Sequence, residues 1–119
     1  MKILSLDFDG TLAPTDYPTI LKPRLIHKLI VMYAKRKRRQ GWIVSLWTLR
    51  GNEPEKTSNH LDEAVAFCKQ EYDLVFDYIN DNPPEMTKKW GYSRKMASDI
   101  IIDDKNFGFF GWLLRRFDK

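Results

Sequence analysis

The tightest constraint on the fold of this chain is the short run DIIIDD at residues 99–104. Three consecutive isoleucines leave no polar alternation. Such a strand suits cover on both faces, which is the habit of parallel sheets flanked by helices. Three further apolar runs have a similar character: KILSLDF (2–8), WIVSLWT (42–48) and LVFDYI (74–79). Between the first two, Leu25, Leu29, Met32 and Arg36 recur at helical spacing on one face, with Ile26, Ile30 and Tyr33 beside them. Pro23 suits the first turn of that helix and Gly41 the position just past its end. Leu61, Val65, Cys68 and Tyr72 form the inner stripe of a second helix, capped by Ser58 or Thr57. The order strand, helix, strand, helix, strand, loop, strand predicts an α/β domain with a mostly parallel sheet and right-handed crossovers. A chain of 119 residues is expected to form one domain over 1–119.

Composition narrows the setting. Hydrophobic residues make up 43% and charged residues 30%, ordinary for a globular domain and against disorder. No apolar run approaches the ~20 residues that span a bilayer. The opening MKILSLDFDG meets acid too early for a secretory signal. Cys68 is the single cysteine, so no internal disulfide forms, and the expected setting is the reducing cytoplasm. Cys68 itself is expected in the core. The net charge of +4 suits an anionic ligand. Its clearest concentration, KRKRR at 35–39, falls at a helix C-terminus, where cations complement the dipole. No aromatic residue interleaves that run, so nucleic acid is not the favoured partner. His27 and His60 are expected as surface or cap residues. The segment 107–119, aromatic and then basic, is expected to dock on the core in preference to a membrane surface or a partner. The oligomeric state is left open.

In an open parallel sheet, ligands bind beyond the carboxyl ends of the strands. The first strand ends at Asp7, with Asp9 two residues on. The second ends at Thr48, followed by Arg50 and Gly51; the third near Asn80 and Asp81; the fourth at Asp103 and Asp104. Acids gathered at one edge repel one another and call for a cation. Oxygen ligands without histidine or cysteine point to magnesium. Asp7 is then placed as a nucleophile and Asp9 as a general acid and base. Gly10 permits a sharp turn, Thr48 can hold a phosphoryl oxygen, and Arg50 is either a clamp for a substrate anion or a solvated loop charge.

These stretches together resemble the motifs of the haloacid dehalogenase-like superfamily. DFDGTL is similar to its first motif, VSLWT to its second and IIIDD to its fourth. Lys95, in SRKMASDIIIDD, best matches the motif lysine, with Lys88 and Lys89 as rivals in the same loop. The resemblance spans residues 3–104. It implies a three-layer Rossmann-like fold. No room remains between the motifs for a cap domain. It also implies Asp7 as nucleophile and magnesium ligand, Asp9 as acid and base with its carbonyl on the metal, Asp104 on the metal with Asp103 beside it, and Lys95 as the balancing charge. The loop 81–94 is expected to face substrate, with Trp90 and Tyr92 to stack and Lys88, Lys89 and Arg94 to meet phosphate. The expected activity is hydrolysis of a phosphomonoester, either a small phosphorylated metabolite or a nucleotide, through an aspartyl-phosphate. The alternative is a phosphate- or nucleic-acid-binding module on the same fold, without efficient turnover.

Overall fold

The computed structural model describes residues 1–53, 58–91, 96–106 and 108–117. The chain opens with β1 (Ile3–Leu6), a small antiparallel hairpin of β2 (Thr15–Asp16) and β3 (Thr19–Ile20), then α1 (Leu25–Arg39) and β4 (Ile43–Leu46). A second hairpin, β5 (Asn52–Glu53) and β6 (Ser58–Asn59), leads into α2 (His60–Tyr72). β7 (Tyr78–Ile79), α3 (Pro84–Trp90), β8 (Ile100–Ile102) and α4 (Phe109–Arg116) complete the order.

The central sheet runs β7-β4-β1-β8, and every pair is parallel. The chain steps outward from β1 through β4 to β7, then returns to the other side of β1. That reversal makes the carboxyl ends of β1 and β8 the topological switch point, where a crevice opens. Register aligns Leu4 with Val44 and Ile100, and Leu6 with Leu46 and Ile102, so these side chains share one face. They join Ile30, Val31 and Ala34 of α1, Ala64, Cys68 and Tyr72 of α2, and Leu114 of α4 in one apolar cluster. Truncating a residue such as Leu6 to alanine there costs roughly 2–5 kcal/mol. On the opposite face Ser5 and Ser45 are buried, and the Ser5 hydroxyl shares a hydrogen bond with that of Ser98.

Several expectations are corrected. β7 has only two residues, and at its entrance the Asp77 carboxylate accepts from the Val44 amide (2.8 Å) and from Arg38 Nη2 (3.1 Å). β8 is an edge strand, and Ile101 stands 46% exposed where cover on both faces was expected. In α1 the buried positions are His27, Ile30, Val31 and Ala34, whereas Leu25, Leu29 and Met32 face outward. His27 is buried rather than on the surface, and it is a cap residue, the other expectation: its Nδ1 accepts from the Arg24 amide at 3.0 Å. Ser58 lies in β6 rather than capping α2, and Thr57 is outside the described residues. The start of α2 is instead held across the hairpin, where the Asp62 amide donates to the Asn52 side chain at 3.3 Å.

The segment 81–94 is not one loop. It contains α3, launched from Pro83 with Pro84 in its first turn, and Lys88 and Lys89 occupy the last turn. Tyr92, Arg94 and Lys95 lie outside the described residues. The C-terminal segment docks as expected through Leu114, which is fully buried. Gly111 makes that approach feasible, since a Cβ there would come within 1.9 Å of the Asn106 carbonyl oxygen. Arg115 Nη1 then donates to the carbonyls of Asp104 (2.8 Å) and Asn106 (2.9 Å). Among the described residues, no helix is long and apolar enough to cross a membrane.

Candidate active site

The site begins where β1 stops. The Asp7 amide still donates to Ile102 of β8 (3.0 Å), and the chain then turns back on itself. The amides of Thr11 and Leu12 both donate to the Phe8 carbonyl, and that of Gly10 to Ala13. Gly10 adopts φ +80°, a conformation that disfavours other residues, and a Cβ at this position would sit 2.5 Å from Asp104 Oδ2. Glycine is thus required twice here, for the turn and for the approach of a carboxylate. Thr11 ties the two strand ends together. Its hydroxyl donates to Asp7 Oδ2 (3.3 Å) and accepts from the Asp104 amide (2.9 Å).

Asp7, Asp103 and Asp104 each present a carboxylate oxygen, and these oxygens lie within 4.8 Å of one another. Asp104 is buried, and its Oδ1 has no hydrogen-bond partner among the described residues. Burial, then the charges of Asp103 and Asp104, push the Asp7 carboxyl well above the usual carboxylate range. Burial, then the hydrogen bond to Asp103, raises Asp104, with Lys105 partly opposing. Lys105 Nζ stands 3.8 Å from Asp104 Oδ2. An orphaned buried oxygen and mutually repelling acids are the properties of a donor set suited to a hard divalent cation. Asp7, Asp103 and Asp104 could therefore hold such an ion.

The carboxylate of Asp9 is not in that cluster. It is engaged by Arg50, whose Nη2 donates to Oδ1 at 2.7 Å and whose Nε lies 3.2 and 3.0 Å from the two oxygens. Arg50 is 1% exposed. Its guanidinium also donates to the carbonyl of Pro18 (3.1 Å), and it lies over the rings of Phe8 and Tyr17. The substrate-clamp expectation for Arg50 is corrected, as is the solvated alternative: its donors are turned inward and hold the loop after β1.

Thr48 lies beyond β4. Its amide donates to the Asn80 side chain (2.8 Å), and its hydroxyl accepts from the Arg50 amide (3.1 Å). Among the described residues the Thr48 hydroxyl only accepts, from Arg50, which leaves its proton to donate into the cavity. Asn80, at φ +55° just past β7, acts as its buttress. Asp7, Asp9, Thr48 and Asp103 line a common cavity of about 290 Å³, along with Trp47 and Lys105. Lys88 and Lys89 do not line it. Lys105 is a cation of this cavity that belongs to none of the motifs. Its only sequence signal is adjacency to the acidic pair. Trp47, between a strand and its terminal threonine, carried no signal that separates a wall of the site from core.

No protein-family model matches the chain, and no curated protein matches it. Among solved structures, the chain is similar to a conserved protein from Bacteroides thetaiotaomicron, with a TM-score of 0.69 and 28% identity. The match covers 95% of this chain and 86% of that one. The α/β architecture with its mostly parallel sheet is thus shared over nearly the full length.

Proposed function

We propose that the chain is a magnesium-dependent phosphomonoester hydrolase of the haloacid dehalogenase-like type, a capless, three-layer Rossmann-like member acting in the cytoplasm on a small phosphorylated metabolite or nucleotide. The observation that carries this proposal is the grouping of the Asp7, Asp103 and Asp104 carboxylate oxygens within 4.8 Å at the sheet's switch point. Asp7 and Asp103 of that cluster line one cavity with Thr48 and Asp9.

Magnesium, held by Asp7 and Asp104 with Asp103 beside them, would supply the positive charge that phosphoryl oxygens need. The chain's own residues do the rest. Asp7 attacks phosphorus and displaces the ester oxygen, giving an aspartyl-phosphate. Asp9 delivers a proton to the departing alkoxide, then takes one from the water that attacks the aspartyl-phosphate; phosphate leaves and the Asp7 carboxylate is restored. Arg50 fixes the direction of the Asp9 carboxylate. Thr48 donates to a phosphoryl oxygen. Lys105 adds positive charge at the rim, a duty the resemblance assigns to Lys95.

The test is hydrolysis of an aryl phosphate by the full chain, with and without magnesium, alongside Asp7→Asn. The proposal expects metal-dependent turnover that Asp7→Asn abolishes. Equal turnover by the variant, or phosphate binding without hydrolysis across a panel of metabolites and nucleotides, would contradict it and favour the binding module.

A further inference from the structure

The stripe Leu25, Leu29 and Met32 faces away from the core, with Leu25 71% and Met32 63% exposed. α4 likewise turns Phe109, Phe110 and Trp112 outward, and Phe109 stacks on Trp112 with ring centroids 5.7 Å apart. The two sets meet. A hollow of about 340 Å³ runs between α1 and α4, bordered by Ile26, Leu29, Tyr33, Ile102 and Phe110. A second, of about 380 Å³, is bordered by Leu25, Leu29, Leu113 and Phe117. A third leads from Leu29, Met32 and Tyr33 to Lys35, Arg36 and Arg39. Leu29 borders all three, so the apolar face is continuous and ends in cations. Neither α1 nor α4 contains an aspartate or glutamate, although the chain has 16. Lys28, Arg36, Arg39 and Arg116 are exposed on these two helices, and Arg36 and Arg39 border the third hollow.

Charge and chemistry select the occupant. A second copy applied face to face would set cation against cation. A protein interface of ordinary size carries roughly ten hydrogen bonds, and these two helices offer lysine and arginine donors but hardly any side-chain acceptor. An anionic bilayer meets both demands, with phosphates for lysine and arginine and an acyl boundary for Phe, Trp, Leu and Met. We propose that the α1–α4 face, centred on Leu29 and rimmed by Arg36 and Arg39, docks the protein on the surface of an anionic phospholipid bilayer. This proposal does not depend on the phosphatase assignment.

Co-sedimentation of the full chain with phosphatidylcholine vesicles, with and without added phosphatidylglycerol, tests it. The protein should pellet with the anionic vesicles and stay in solution with the neutral ones. Replacing two rim cations, Arg36→Gln with Arg39→Gln, should weaken binding roughly thirtyfold. The exposed-site pair Leu25→Asp with Met32→Asp should abolish it while leaving the melting temperature in place. Equal pelleting with both vesicle types, or indifference to both double variants, would overturn the proposal. So would a stable lipid-free dimer that protects α1 and α4 from hydrogen exchange, or preferential binding of an acidic amphipathic peptide over the vesicles.

Discussion

Arg50 and Asp9 lie 41 residues apart in sequence and form one ion pair, with Nη2 and Oδ1 at 2.7 Å. The guanidinium is buried while the Asp9 side chain remains 29% exposed. The arginine therefore acts from behind, fixing the loop after β1 against the loop after β4 and leaving one edge of the carboxylate toward the cavity. Breaking a buried pair from one side leaves a charge without its partner. Because Asp9 keeps some contact with water, Arg50→Met is expected to cost roughly 2–3 kcal/mol, at or below the low end of such losses. Arg50→Lys retains charge but not the planar fork, and should recover only part of it. Chemical denaturation of both variants checks this, and a double-mutant cycle with Asp9→Asn should show coupling of about 1 kcal/mol or more.

Gly10 is the second position where one atom decides. Gly10→Ala places a methyl carbon 2.5 Å from Asp104 Oδ2 and forces a side chain onto φ +80°. The variant is expected to lose about 1 kcal/mol or more from the backbone alone. Displacement of Asp104 should also weaken divalent-ion binding. Calorimetric titration with magnesium and thermal melts separate the two effects; unchanged metal affinity would show that Asp104 is not a ligand.

Stability should depend on pH in an unusual direction. The folded-state carboxyls of Asp7 and Asp104 titrate above their unfolded values, chiefly through burial. The native state therefore holds more protons than the unfolded chain, starting near the ordinary aspartate value of about 3.9. Stability of the metal-free protein falls as pH rises from there through the raised folded-state values. Melts in chelator across mildly acidic to mildly alkaline pH should show this decline. Magnesium should flatten it, and Asp7→Asn should reduce it without metal.

Thr48 has two neighbours that set its direction, Asn80 through its amide and Arg50 through its hydroxyl. Removing one donor to a developing negative charge commonly costs on the order of a hundredfold in rate. Thr48→Val should lose about that much of kcat/KM on an aryl phosphate, and Thr48→Ser should restore most of it. Asn80→Ala should show a smaller loss, because it acts on Thr48 rather than on substrate.

What the sequence disclosed, and what it concealed, follows from the range of each signal. Asp7, Thr48, Asp103 and Asp104 were legible because an apolar run ending in a polar residue announces a strand end locally. The burial of Arg50 depends on a partner 41 residues away, and no period or spacing encodes that. α3 is hidden in the sequence because seven residues opening on proline make too little helix for periodicity to register. α1 is apolar on two sides. His27, Ile30, Val31 and Ala34 face the core, while the stripe with the larger side chains faces solvent. A pattern of hydrophobic residues identifies faces but does not say which one the sheet covers. Ile101 is the matching case in β8, where three isoleucines indicated burial but the edge position left the middle one open.

In the proposed mechanism Asp7 carries the phosphoryl group. That step is tested most directly by acid-quenching a reaction with aryl phosphate and magnesium in Asp9→Asn, which slows release, then locating the phosphate by peptide mass spectrometry. The expected result is a phosphorylated peptide containing Asp7 that disappears on hydroxylamine treatment and is absent when Asp7→Asn is added. Phosphate on a different residue, or hydrolysis by the wild-type chain with no covalent adduct in Asp9→Asn, would contradict it.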